Sequence, residues 1–180
     1  VVYGGIIGGI ASVMVYCRIK KTSFLAHLDL LAPSVALAQG FGRIGCFLAG
    51  CCYGRETDSA FCIIFRDSLY APNGIRLLPT QLMMSAGNFI IALALLLYAR
   101  KDRKKGGIVG LYLILYSAGR FVIEFFRNDY RGAVGFMSTS QFISIFTLIL
   151  GVLLFGSKLF NKEKPQAAVS EDETTDSPRD

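Results

Sequence analysis

The sequence predicts an all-α protein, a polytopic transmembrane helical bundle with about five spans in its 180 residues. Three observations carry that reading. The chain is 53% hydrophobic and 18% charged, against about 25% charged residues in an ordinary soluble domain. Its charges cluster, leaving apolar stretches near the ~20 residues that a helix needs to cross a bilayer. The polar runs between those stretches are either strongly basic or balanced, the pattern of a chain threaded through a membrane.

The first span is Val1 to Cys17. It starts inside an apolar run, without the basic stretch and small-residue cleavage site of a signal peptide, and reads as a spanning helix with its beginning cut off. The second runs from Leu30 to Cys52, interrupted by Pro33, Gly40, Gly42 and Gly45. A longer connection, Tyr53 to Leu78, follows, with a short strand expected at Ala60 to Phe65. The remaining spans are Pro79–Ala99, Gly107–Arg127 and Phe136–Ser157. Residues 1–160 make one membrane domain. Residues 161–180, rich in Ser, Thr, Asp and Glu, are expected to form a disordered cytoplasmic tail. No internal repeat is visible.

Charge sets the orientation. The formal net charge is +6, but residues 161–180 carry −3, which leaves +9 for the membrane part. That excess sits between apolar spans, so loop orientation explains it and nucleic-acid binding does not. Arg18, Lys20 and Lys21, the run Arg100 to Lys105, and Lys158, Lys162 and Lys164 are the basic segments. The Tyr53–Leu78 connection instead balances Arg55, Arg66 and Arg76 against Glu56, Asp58 and Asp67. The positive-inside rule puts the basic segments and the carboxyl terminus in the cytoplasm and the balanced loop outside.

Charges within spans carry the chemistry, because burying one costs at least a few kcal/mol. Arg43 lies in the second span. Tyr116, Arg120, Glu124 and Arg127 lie in the fourth, spaced 4, 4 and 3 residues apart, and so share one helical face. Both spans run outward, which sets Arg43 and Arg120 at one depth in the outer half of the membrane. Paired guanidiniums at headgroup level suit a phosphate, which they bind bidentately. Gly40, Gly42, Gly45, Gly50 and Gly54 leave room for a ligand or a neighbouring helix to approach the backbone.

The other reactive types read as structural. Five cysteines form no disulfide framework. On a continuous helix Cys46 and Cys51 point about 140° apart; these two and Cys52 are expected to pack as small apolar groups. With poor ligand spacing, no metal site is expected. His27, the one histidine, falls near the cytoplasmic entry of the second span, far from the arginines.

Gly42-Arg-Ile-Gly-Cys-Phe-Leu-Ala-Gly-Cys-Cys-Tyr-Gly-Arg55 resembles the signature segment of the prolipoprotein diacylglyceryl transferases. Tyr3-Gly4-Gly5-Ile6, Asp29 to Pro33, Pro79-Thr80-Gln81, the Tyr116–Arg127 stripe and Ser138-Thr139-Ser140-Gln141 follow the family order, so the likeness covers about Val1 to Gly151. The resemblance implies a seven-span fold, with two spans ahead of Val1. It implies transfer of a diacylglyceryl group from phosphatidylglycerol to the lipobox cysteine of prolipoprotein signal peptides, at the outer leaflet of a bacterial inner membrane. It implies no cofactor. Arg43, Arg120, Tyr3 and Glu124 then become the catalytic candidates, and Gly4, Gly5, Gly42, Gly45, Tyr116, Gln81 and Gln141 the substrate-binding ones.

The departures are chemical. Tyr3 stands where the family has a His, Cys46 where it has Asn, and Cys51 where it has Glu. Leu78 replaces a His, and Met83-Met84 replaces Tyr-Glu. A His base at position 3 is excluded, and a Tyr there needs its phenol pKa of about 10 lowered to take a proton. A second reading therefore stands beside the first: a divergent paralogue that binds anionic phospholipid or carries out a different thiol or lipid transfer.

Overall fold

The computed structural model describes residues 2–100, 105–127, 133–134 and 137–156. Five helices run through them: α1 (Val2–Lys20), α2 (Phe24–Leu48), α3 (Thr80–Ala99), α4 (Gly107–Glu124) and α5 (Thr139–Gly156). Within the connection after α2, β1 (Ile63–Ile64) pairs antiparallel with β2 (Arg76–Leu77). A second short pair, β3 (Ala133–Val134) with β4 (Met137–Ser138), leads into α5. The expected tail, 161–180, and most of the basic run, 101–104, lie outside the described residues.

Burial is inverted relative to a protein solvated by water. Among the residues withdrawn to below a tenth of their surface are Thr80, Gln81, Ser85, Asn88, Ser117 and Ser144, while Leu30, Leu48 and Ile90 are 75%, 79% and 67% exposed. Large apolar side chains facing outward and small polar ones facing inward suit a hydrocarbon solvent. Among the described residues α2, α3, α4 and α5 are long and apolar enough to cross a membrane. The fifth expected span appears as α1, helical over 19 residues, of which Val2, Tyr3 and Ile6 have side chains outside the described ones. It carries four glycines and a basic end and packs lightly, chiefly on α2.

The bundle core lies where α2, α3 and α4 meet, around Ala32, Ala36, Ala92, Leu95, Val109 and Tyr112. Alanines there let the helices approach closely. Between α4 and α5 the approach is tighter still. A Cβ on Gly110 would sit 2.9 Å from the Phe155 backbone nitrogen, and one on Gly151 3.0 Å from the Gly110 carbonyl oxygen. The hydroxyls of Ser117 and Thr147 add a 2.6 Å hydrogen bond across the same pair.

Three of the boundaries that differ from the sequence reading have a clear local reason. Helix α2 begins at Phe24, not Leu30, because the charge of Asp29 has a partner inside the bundle. Its carboxylate accepts hydrogen bonds from the Gly106 N–H at 2.6 Å and the Val109 N–H at 2.8 Å. It thereby caps α4 from a different helix, meeting donors that helix geometry leaves unpaired. The same helix ends at Leu48, not Cys52. Gly50 and Cys52 take left-handed φ values of +67° and +62°, and a Cβ on Gly50 would collide with the Ser68 hydroxyl. Helix α4 stops at Glu124, and Arg127 instead bridges to Gly54.

These contacts sort the chain into two ends. Asp29 brings the starts of α2 and α4 together, and with them the basic residues that precede each helix. The Arg55 N–H donates to the Phe126 carbonyl at 2.9 Å, which joins the balanced loop to the far end of α4. Replacing Asp29 with Ala leaves the Gly106 and Val109 N–H groups buried without an acceptor. That change is expected to cost about 2 kcal/mol, read as a lower melting temperature in detergent. Asp29→Asn, which keeps one acceptor, should lose less; equal losses would show that the carboxylate does not cap the helix.

Candidate functional site

The site is built where the end of α2, the start of α3 and the end of α4 meet the start of α5. Arg120, near the end of α4, has one-tenth of its side chain exposed. Its Nη2 lies 3.0 Å from Glu124 Oε2, an ion pair one helical turn along. The contact is charge to charge, because that oxygen is not aligned to accept a hydrogen bond. The same Nη2 donates to Ser140 Oγ at 2.7 Å, and Nη1 reaches Met84 Sδ at 3.8 Å. Three helices therefore hold one guanidinium.

Arg43, partly buried on α2, lies close enough to Arg120 for their charges to interact, and so does Arg127. Among the described residues no carboxylate lies within ion-pairing distance of Arg43. Three cations thus share a low-dielectric region in which Glu124 is the carboxylate paired with Arg120. Such an arrangement attracts an anion, and guanidinium forks suit one with several oxygens, such as a phosphate.

Tyr116 is stacked on Tyr112 with ring centroids 5.7 Å apart, and the Tyr112 hydroxyl donates to Gln39 Oε1 at 2.9 Å. Tyr116, Arg120, Met83, Met84, Gly87 and Asn88 line a cleft of about 60 Å³ between α3 and α4. Asn88 is 3% exposed, donates its amide to the Met84 carbonyl, and leaves Oδ1 without a partner among the described residues.

Of the sequence candidates, Arg43, Arg120, Glu124 and Tyr116 converge here. Gln141 is half-buried in the first turn of α5, beside Ser140. Gln81 has a structural task, donating Nε2 to the Cys51 carbonyl at 2.8 Å. Its Oε1 has no partner among the described residues. Gly42 and Gly45, with Gly4 and Gly5, have open space where a Cβ would stand; the close approaches are instead at Gly40, Gly50 and Gly54. Tyr3 falls in α1, and its side chain lies outside the described ones. Arg127, expected on the same helical face, lies past the end of α4. His27 donates from Nδ1 to the Ser23 carbonyl at 3.0 Å and packs against Tyr16, a packing role.

The cysteines correct the expectation most sharply. Helix α2 ends before Cys51, and the left-handed turn at Cys52 folds the chain back. The sulfur atoms of Cys46, Cys51 and Cys52 consequently lie within 4.8 Å of one another. The turn is held by Gln81 and by Thr80, whose hydroxyl donates to the Cys52 carbonyl at 3.1 Å. Burial pushes the Cys51 thiol up to about 11, with Cys52 and Cys46 adding to the effect. At neutral pH it is therefore a protonated thiol, not a nucleophilic thiolate.

Comparison with known proteins decides the family. Residues 1–156 match the family described as prolipoprotein diacylglyceryl transferase. The chain belongs to that family. A phosphatidylglycerol–prolipoprotein diacylglyceryl transferase of Clostridium tetani (strain Massachusetts / E88) is 52% identical over 163 residues, covering 91% of this chain and 66% of its own. In Clostridium perfringens (strain 13 / Type A), the relative named transferase 2 is 53% identical over 155 residues, 86% of this chain and 60% of its own. The one named transferase 1 is 36% identical, over 84% and 60%. The chain thus spans 60 to 66% of the length of these relatives. Beside the clustered arginines, Ser140, Asn88 and Met84 are residues that sequence reasoning had not counted among the site candidates.

Proposed function

We propose that the protein transfers a diacylglyceryl group from phosphatidylglycerol to the lipobox cysteine of prolipoproteins, at the outer leaflet of a bacterial inner membrane. The observation that carries this is Arg120, fixed by Glu124 and Ser140 and facing a second arginine, Arg43, that has no carboxylate partner among the described residues. The names of the relatives supply the substrates. In the reaction, the acceptor sulfur attacks the glyceryl carbon, the bond from that carbon to the phosphate oxygen breaks, and glycerol phosphate leaves. Arg43 and Arg120 hold the phosphate and stabilise the charge that grows on it. The acceptor thiol releases its proton to become the attacking thiolate, and that proton is taken up by the departing glycerol phosphate.

The test is complementation of a bacterium depleted of its own transferase by the full-length gene. The lipidated prolipoprotein is followed by mass spectrometry. Growth with diacylglyceryl-modified lipoprotein is the expected result; stable membrane expression without modification would sink the proposal.

Orientation belongs to the same reading. The basic ends of α1 and α3 face the cytoplasm, which puts Arg43 and Arg120 toward the outside. Cysteine introduced as Lys105→Cys should resist a membrane-impermeant maleimide in intact cells and react after lysis. Labelling in intact cells would invert the topology.

A second reading rests on a specific contact. Met84, where the family has Glu, presents sulfur to Arg120 Nη1, and the chain is nearer to transferase 2 than to transferase 1 of the same bacterium. A paralogue that binds anionic phospholipid, or makes a different thiol or lipid transfer, fits these departures. Binding of phosphatidylglycerol without transfer in the complementation strain would favour it.

A further inference from the structure

The three sulfur atoms at the end of α2 form a set that neither lipid binding nor transfer requires. A helix continued through Cys52 would have splayed them apart. Instead the chain adopts a left-handed turn at a residue other than glycine, Cys52, a conformation that costs on the order of 1 kcal/mol or more for such a residue. Two side chains from α3, Thr80 and Gln81, hold the Cys52 and Cys51 carbonyls in that turn. Both are 1% exposed, so the turn is fixed by buried hydrogen bonds.

The geometry suits a metal ion. With the sulfurs within 4.8 Å of one another, one point lies no more than about 2.8 Å from all three. A shift of about half an ångström then reaches the ~2.3 Å of a zinc–thiolate bond. Among the described residues no His, Asp, Glu or further Cys completes a fourth position. A closed structural zinc site takes four ligands, and three soft thiolates without a nitrogen or oxygen donor select soft ions such as Cu(I).

We propose that Cys46, Cys51 and Cys52 form a three-thiolate site for a soft metal ion of the Cu(I) class. The ion replaces three thiol protons, which pass to solvent, and no oxidation or reduction is involved. Bound there, it ties the last turn of α2 to the loop that pairs with the end of α4 through Gly54 and Arg127. Cys46 is three residues from Arg43 on the same helical face, so occupancy bears directly on the segment that positions that arginine. The proposal stands on the sulfur geometry and does not require the transfer reading.

The experiment uses the purified, reduced full-length protein in detergent, titrated anaerobically with Cu(I) from a chelator-buffered stock. One ion per chain is expected, with thiolate-to-copper absorption in the ultraviolet. Bound ion should protect Cys46, Cys51 and Cys52 from N-ethylmaleimide, read by peptide mass spectrometry, while Cys62 reacts as before. Each of Cys46→Ser, Cys51→Ser and Cys52→Ser should weaken binding tenfold or more, and Cys62→Ser should not. The protection measurement on the unmutated protein keeps the test decisive if a serine variant misfolds. Absence of stoichiometric binding, or protection centred on Cys62, overturns the site. Tighter binding of buffered Zn(II) than of Cu(I) overturns the three-coordinate assignment.

Discussion

Arg43→Lys is expected to lower diacylglyceryl transfer on the order of 10²-fold while the protein inserts and melts as before. The reason lies in what Arg43 does and does not touch. Among the described residues it has no carboxylate partner, so its charge is not engaged in a packing pair, and it faces Arg120 across the site. A lysine keeps the charge but presents a point ammonium in place of a planar fork, losing the bidentate grip on a phosphate. Loss of one preorganised donor to charge developing in the transition state is worth roughly 10²–10³ in rate. The measurement is transfer from labelled phosphatidylglycerol to a lipobox peptide, with melting temperature alongside. Near-normal transfer by Arg43→Lys would assign Arg43 to packing.

The helices were legible because two constraints coincide in a membrane: span length and loop charge. The five expected spans recur as the helices α1 to α5, with ends displaced by a few residues. The displacements trace to contacts that no local pattern encodes. Asp29 looks like the wrong residue for a helix near a membrane until its carboxylate is seen on the first turn of α4, 77 residues away. The end of α2 turned on Ser68 and Gln81, which meet the cysteine turn from distant parts of the chain.

The site was legible where its residues are charged and opaque where they are small. Arg43, Arg120 and Glu124 announce themselves because charge inside a span is expensive. Ser140 and Asn88 are ordinary polar residues whose importance lies in one hydrogen bond or one unpaired oxygen. The one usable signal was polarity at positions that a lipid-facing helix would fill with Leu or Ile. The cysteines misled for a different reason. Helical periodicity predicts direction only while the helix lasts, and three residues beyond Leu48 it predicted divergence where the fold produces a cluster.

Replacing Arg120 with Gln is expected to destabilise the protein by about 3–5 kcal/mol, and replacing Glu124 with Gln as well should restore most of that loss. With the guanidinium gone, Glu124 remains a carboxylate with one-tenth of its surface exposed, and a buried charge that has lost its partner is what makes such single substitutions costly. Neutralising both groups removes the orphaned charge, so the Arg120→Gln/Glu124→Gln protein should approach the unmutated melting temperature. Transfer should not follow stability. The double variant lacks the guanidinium that Ser140 and Glu124 aim into the site, and its activity should stay at the level of Arg120→Gln alone. Denaturation in detergent and the transfer assay, run on the two single variants and the double, make a complete cycle. A double variant as unstable as Arg120→Gln would show that the ion pair is not the source of the loss. A double variant that regained transfer would show that the pair serves the packing of α4 and that the phosphate is held elsewhere. The separation of the two readouts is the point, because a guanidinium held by an acid, a hydroxyl and a thioether is equally a structural strut and a ligand, and only its removal without a stranded charge distinguishes them.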